Sequence, residues 1–483
     1  MKKVAPIFLA IVMSCFGSLS CTNRFNATSG SLTPPSNSPG NSFFLGSLPN
    51  PPTPIIGGGQ TYYVSPTGND ANSGTSLSSP FLTLQHAADL TNPGDIVYAM
   101  SGTYTTSSTY VLWITRSGTP NAWITYQAYP GQHPVIQVGN NTWSWAGIAV
   151  SAPSPNNGVT STGYIVISGF EVIGNNANVS WAKAQANANN GSDATTNSTG
   201  IDIGLEWTAP APWTATSPAN THHIVVQNNV VHDNPLGGIG VAGSDYTTVQ
   251  GNTVYGNSLY SPYAGSGISI WDAHNIDTNP GYHVFVVGNI SHDNVEYIGN
   301  MYYNGGITDG NGIIIDSNRV ASFSGRTLVA NNLIYNNGGS GIHAFNSQHA
   351  DFMFNTAYMN NSNIQEGEIF SNTGTDIQIM SNIMYARSGS YVNSNCSNDG
   401  TVVSNYNTEF NGTAYGCGSP ANPLAQGSHD HFSNPLFVNG APIGGNFHLQ
   451  SGSPAIGTGN PALIPSMNLD GTYRSAAPNS GAY

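Results

Sequence analysis

An asparagine that returns at intervals, flanked each time by β-forming residues, is the feature that most restricts how this chain can fold. The segments VVQNNVVHDN, TVQGNTVYGN, FVVGNISHDN, LVANNLIYNN, FMFNTAYMN and IQIMSNIMYA carry it at Asn229, Asn252, Asn289, Asn332, Asn355 and Asn382. The gaps run from 23 to 43 residues, and the shortest occurs twice. Between them lie GGIGV, GSGISI, GNGIII and SGIHA, each a glycine followed by alternating apolar residues. A period of two, with Gly and Asn interrupting every run, excludes amphipathic helices. Two short strands per coil of about 23 residues, with loops inserted where the gap is longer, predict an all-β parallel β-helix. A single coil has too little apolar surface to fold alone. Stacking buries Ile and Val in a central column and sets the asparagines about 4.8 Å apart, where their amides join into a ladder.

Composition narrows the partners. Only 7% of the 483 residues are charged and the formal net charge is −14. Two of the nine basic residues, Lys2 and Lys3, lie in the leader, so Lys183 is the only lysine beyond it. Such a surface cannot neutralise nucleic-acid phosphates, and it repels polyuronides or sulfated glycans unless a metal bridges them. Neutral partners are favoured. The start, MKKVAPIFLAIVMSCFGSLSC, is an export signal too short to span a bilayer as a stable helix.

The end of that signal resembles a bacterial lipoprotein lipobox, with Ser18, Leu19 and Ser20 ahead of Cys21, although such sequences place leucine one step earlier. A cut before Cys15, after Val12, Met13 and Ser14, is the alternative. Cys21 is preferred as the lipidated residue because it leaves Cys396 and Cys417 as an even pair for one disulfide. A cell-surface or outer-membrane lipoprotein is expected, anchored to the membrane by lipid, with secretion after simple cleavage as the other outcome. Residues 1–21 are then the signal, 22–60 a Pro/Ser/Asn-rich disordered tether, 61–430 the solenoid and 431–483 a C-terminal module packing on the solenoid end.

The stretch SSPFLTLQHAADL predicts one short amphipathic helix, with Ser or Pro at its start, covering the open strand edges at the N-terminal side. The run YYVSPTGNDANSGTSLSSPFLTLQHAADLTNPGDIVYAMSGTY resembles the opening of secreted right-handed β-helix proteins of the pectate-lyase-like superfamily. The tail, from NPLFVN through NFHLQSGSPAIGTGNP to SGAY, resembles a terminal module of many such bacterial surface proteins. With the repeats, the resemblance covers nearly everything after residue 60. It implies a right-handed parallel β-helix and a carbohydrate partner, but no one reaction, since lyases, hydrolases, epimerases and binding proteins share the scaffold.

Aligning the glycine-led strands gives two outward rows. One reads Asp202, Gly240, Ser269, Ile314, His343 and the other Gly204, Ala242, Trp271, Asp316, Phe345. Asp316 then lies between two aromatic rings, with His343 in the adjoining row. The insertions IWDAHNIDTNPGYH and EYIGNMYYNGG emerge before this coil and wall a groove with Tyr297, Tyr302 and Tyr303. Aromatic walls with carboxylates suit sugars; the plainer alternative is that Trp271 and Phe345 pack under loops.

Asp309 and Asp316 are the sharpest pair. Glycoside hydrolysis needs two carboxyl groups about 5 to 10 Å apart. Seven extended residues exceed that, but a corner at Gly310 to Gly312 folds Asp309 back toward Asp316. The same spacing on a β-helix strand resembles the acid and nucleophile pair of the lacto-N-biosidase-like glycoside hydrolases, whose remaining motif is not evident here. The alternative makes DGNG an Asp-Gly turn and Asp316 a strand cap. Asp202, Glu206, Asp272, Glu366 and Glu368 compete as the second carboxylate.

A polysaccharide lyase needs a base such as Arg319 or Arg326, with calcium bound by Asp309, Asp316 and Asp272. An arginine so close is also placed to pair with Asp316 and hold it ionised. His222 and His223 are neighbours on an alternating strand and should face opposite ways, while His232 and His292 occupy stacked turns; no zinc spacing is present. The expectation is a monomeric glycoside hydrolase acting on an oligo- or polysaccharide through Asp309 and Asp316. Trp271, His343, Phe345, Asp202, Tyr303 and Arg319 contact the substrate, and calcium is required only if the chain is a lyase. The rivals are that lyase and a non-catalytic surface adhesin.

Overall fold

The computed structural model describes residues 48–152, 161–204, 219, 221–396, 400–417, 426–441 and 444–483. The leader, Cys15, Cys21, the tether up to residue 47 and Glu206 lie outside them. Among the described residues the chain winds through three parallel sheets. Sheet A has 11 strands, from Thr61–Val64 to Val402–Asn405; sheet B has 11, from Gly102–Tyr104 to His431–Phe432; sheet C has 10, from Tyr110–Ile114 to Thr413–Cys417. Ser244–Gln250, Thr253–Tyr255 and Ile268–Trp271 make one coil, and Tyr282–Val287 opens the next.

A coil therefore has three strands, not the two expected. Each asparagine-centred segment holds a sheet A strand and a sheet B strand, with the asparagine at the bend between them. The residue before the ladder asparagine makes the bend: Asn228, Gly251, Gly288, Asn331, Phe354, Ser381 and Tyr406 all have φ between 55° and 64°. Left-handed backbone costs a non-glycine residue roughly 1–2 kcal/mol, and the ladder offsets it. Asn229 Nδ2 donates to Asn252 Oδ1 at 3.0 Å, and the relay continues through Asn289, Asn332, Asn355, Asn382 and Asn407 to Asp430.

A second ladder, five residues further along each repeat, turns the chain from sheet B toward sheet C. It runs Asn234, Asn257, Asn294, Asn337, Asn360 and ends on both carboxyl oxygens of Glu368. This ladder accounts for the glycine that leads the five sheet C strands from Thr199–Ile203 to Ile342–Phe345. A Cβ on Gly312 would lie 2.2 Å from Ile334 Cγ2 and 2.8 Å from Asn337 Nδ2, and Gly200, Gly238, Gly267 and Gly341 are crowded in the same way.

After the glycine, alternate residues point into one continuous apolar column. Ile239, Ile268, Ile313 and Ile342 are neighbours in register and wholly buried. Helix α1 (Leu84–Leu90) covers the N-terminal side with Leu84, Ala87 and Ala88. It starts after the Ser-Ser-Pro, because Thr83 is the N-cap: its Oγ1 accepts from the His86 amide, and Asp70 accepts from the amides of Leu82 and Thr83.

The ordered body begins before residue 61. The Leu48 amide donates to the Ile464 carbonyl at 2.9 Å, and the Trp123 amide to the Ile55 carbonyl at 2.9 Å. Toward the C-terminus, His431–Phe432 adds a last strand to sheet B. The antiparallel pair Phe437–Asn439 and Asn446–Leu449 then lies against the flank of sheet B, where Phe437 and Phe447 pack on Tyr358, Leu333 and Ile383. Sheet C sets Cys396 beside Cys417 in register.

Candidate active site

Insertions gather where the chain passes from sheet B to sheet C, so the N-terminal ends of the sheet C strands lie under loops. Here α2 (Trp181–Ala186) and α3 (Ala194–Asn197) precede the strand Thr199–Ile203, and residues 295–312 precede Ile313–Asp316. That second insertion is a closed loop. Its bridge pairs Asn300 with Gly306, and Glu296 clasps its neck, Oε2 accepting from the amides of Thr308 at 2.8 Å and Asp309 at 2.7 Å.

Asp309 sits at the foot of this loop, before a turn in which Gly310 has φ +77°. Its Oδ1 accepts from Asn311 Nδ2 at 3.1 Å and from Ser266 Oγ at 3.3 Å. Burial lifts its pKa well above the usual carboxylate range, and the charges of Glu296, then Asp316, then Glu366 lift it further. Burial raises Glu296 and Asp316 to about 7 and Glu366 to about 8. Glu366 is tied to the same corner through Ser340 Oγ at 3.2 Å, while the Ser340 amide donates to Asn311 Oδ1. Glu296 and Glu366 thus join Asp309 at one poorly solvated corner, and their charges, with that of Asp316 further along the strand, make Asp309 harder to ionise.

Asp309 and Asp316 occupy opposite ends of the strand Ile313–Asp316. The corner keeps Asp309 at the strand's mouth and does not fold it fully back, yet Asp316 is near enough to raise it electrostatically. Both predicted rows are present in register. Trp271 pairs with Asp316 and Asp316 with Phe345; Asp202 pairs with Gly240, Ser269 with Ile314 and Ile314 with His343. Asp316 accepts from Ser317 Oγ at 2.6 Å, and nearby Asp272 contributes to its raised pKa.

Other predicted roles change. Among the described residues no arginine pairs with Asp316: Arg319 donates to the Thr373 carbonyl at 2.6 Å, and Arg326 is locked between Asp351 and Asp376, its pKa raised by that pairing. His343 is 5% exposed, stacked on Phe370 at 4.5 Å, with both ring nitrogens unpartnered among the described residues and its pKa pushed down to about 3 by burial. It packs beneath the groove and does not open onto it. Asp202 lies three strands from Ile314, roughly 14 Å along the axis, and is not part of the carboxyl cluster. Tyr303 is 66% exposed at the loop tip. Glu368 terminates the second ladder and is structural.

His222 and His223 do not face apart. His223 has φ +53°, which breaks the alternation and brings the two Nδ1 atoms to 2.9 Å. His232 and His292 sandwich Tyr255 at 4.7 and 5.0 Å. Among the described residues no three His, Cys, Asp or Glu side chains converge as metal ligands. Glu296 went unnoticed in the sequence, although its place two residues after a ladder asparagine, at the root of the longest insertion between sheets B and C after residue 200, marks it as a loop anchor.

Residues 62–373 match the family model for the Pel9A-like right-handed β-helix region. No curated protein matches the chain. Among solved structures, pectate lyase Pel9A is similar at 18% identity, covering 89% of this chain and 97% of that one, with a TM-score of 0.49. A rhamnogalacturonan lyase is similar at 15% identity, with coverage of 79% and 91% and a TM-score of 0.37. The GH136 lacto-N-biosidase from Eubacterium ramulus is similar at 16% identity, with coverage of 73% and 56% and a TM-score of 0.36. With a family match spanning most of the coils described above, the chain belongs to the Pel9A-like right-handed β-helix family.

Proposed function

We propose that this chain is an exported, carbohydrate-active β-helix protein that hydrolyses a neutral glycan at the corner holding Asp309. The observation that carries this reading is the carboxyl cluster itself: Asp309, at the foot of a clasped loop, has its ionisation opposed by burial and then by the charges of Glu296, Asp316 and Glu366. A protonated carboxyl is what a leaving glycosidic oxygen needs, and Asp316 supplies the second group, as nucleophile or as base toward water. Trp271 and Phe345, on either side of Asp316, offer stacking faces to pyranose rings. Cys21 is proposed as the lipid anchor, and Cys396 with Cys417 as a disulfide, whose Cα separation of about 4.8 Å in register fits such a bond.

A second reading is β-elimination assisted by calcium, the lyase alternative on this scaffold; the family takes its name from Pel9A, a pectate lyase. Against it stand the engagement of Arg319 and Arg326 elsewhere and the scarcity of lysine. The test is release of reducing ends from a panel of neutral and uronate glycans by the wild type, Asp309→Asn and Asp316→Asn, with absorbance recorded for unsaturated products. Saturated products that fall by about 10²-fold or more in either variant support hydrolysis. Unsaturated products move the assignment to a lyase. Glycan binding with no product, unchanged in both variants, makes the protein an adhesin.

A further inference from the structure

A cavity of about 620 Å³ opens between α2 and the loop clasped by Glu296. That volume is within the range of roughly 300–1,000 Å³ that small-molecule sites occupy. Two large rings on its wall are left in solvent: Trp181 is 49% exposed and Tyr297 51%. Among the described residues no charged side chain lines it, and beside the two rings its polar side chains are the amides of Gln185, Asn189 and Asn304. Solvent-exposed rings facing a concave space, with uncharged donor and acceptor groups between them, suit the apolar face and hydroxyl edge of a neutral sugar. A uronate would find no cation to balance it here, on a chain of net charge −14.

Both walls are held in place before any ligand arrives. Ser180 caps α2 by accepting from the Lys183 amide, and beneath the cavity Ala184 packs with Val179 and Ile298. The opposite wall is fixed by the Asn300–Gly306 bridge and by the Met301 amide donating to the Pro262 carbonyl at 2.9 Å. Tyr297 and Asn304 belong to the same loop that ends at Asp309, so one rigid segment joins the cavity to the carboxyl cluster.

We propose that this cavity is a binding subsite for a neutral sugar residue of the glycan, with Trp181 and Tyr297 as its stacking platforms. The proposal rests on the carbohydrate reading above but not on the assignment of Asp309 as the acid. It is tested by calorimetric titration of the full chain carrying Asp309→Asn with cello-, xylo-, galacto- and chito-oligosaccharides and with oligogalacturonate. The titrations are repeated after adding Trp181→Ala, Trp181→Phe or Tyr297→Ala, and thermal melting of each variant confirms the fold.

At least one neutral oligosaccharide should bind, with affinity falling about tenfold in each alanine variant, kept in Trp181→Phe, and exceeding that for oligogalacturonate. Unchanged affinity in both alanine variants, tightest binding of oligogalacturonate, or no neutral ligand at all overturns the subsite. Turnover by the Asp309→Asn parent reads the catalytic assignment separately. If it persists while the alanine variants lose binding, the subsite stands and the acid is misassigned.

Discussion

Glu296 serves two ends with one side chain: its Oε2 closes the loop neck on the amides of Thr308 and Asp309, and after burial its charge is the strongest influence opposing ionisation of Asp309. Glutamine keeps the acceptor and removes the charge. Glu296→Gln should therefore melt like the wild type while the basic limb of the pH–rate profile moves to lower pH, because Asp309 then ionises more readily. A merely structural Glu296 would leave that limb in place. The acidic limb should also be unusual. Two ordinary carboxyls would give an optimum between about 4 and 5. With Asp316 raised to about 7, activity should instead fall as pH drops below about 7, which a buffer series on any turned-over substrate checks.

At the scale of strands and corners, the two asparagine ladders carry the bends of each coil. Asn294 accepts from the amide and Nδ2 of Asn257 and donates to Asn337. Asn294→Ala should leave buried polar groups unmet on both sides and cost about 2–4 kcal/mol, read as a lower denaturant midpoint at unchanged activity per folded molecule. The first ladder was legible because its asparagines sit between β-formers. The second was printed in the same segments, at Asn234, Asn257, Asn294 and Asn337, yet its meaning depends on a left-handed residue before each one, which Asp233, Gly256, Asp293 and Asn336 supply and which no hydrophobic period reveals. Row order across sheet C was legible down to the neighbours of Asp316, since register follows once the glycines are aligned. The carboxyl cluster was not, because Glu296 and Glu366 reach Asp309 through loops whose closure is a matter of hydrogen bonds. The pull of an arginine on Asp316 misled for the same reason: closeness in sequence did not survive the turn at Ser317, where φ is 60°.

The whole molecule should be acid-tolerant. Burial raises Asp202, Glu296 and Asp316 to about 7 and Glu366, Glu368 and Glu409 to about 8. The folded chain holds protons here that the unfolded chain has released, so stability should fall as pH rises from about 6.5 to 8.5. Below about 6.5 the buried neutral His223 and His343, lowered to about 4 and 3, pull the other way, because only the unfolded chain protonates them. Denaturant titrations at pH 6.5 and 8.5 should show the lower midpoint at pH 8.5. The two ladders also have a direction. Past Asn234, whose Oδ1 meets no donor among the described residues, each ladder asparagine receives from the coil before and gives to the coil after, so a run of amides is a template with no natural length. Asp430 and Glu368 receive through their carboxyl oxygens and have no amide to hand on. Each ladder therefore stops on a carboxyl group, Asp430 beside the last strand of sheet B and Glu368 while two strands of sheet C are still to come, so the amide relay is shorter than the solenoid it braces.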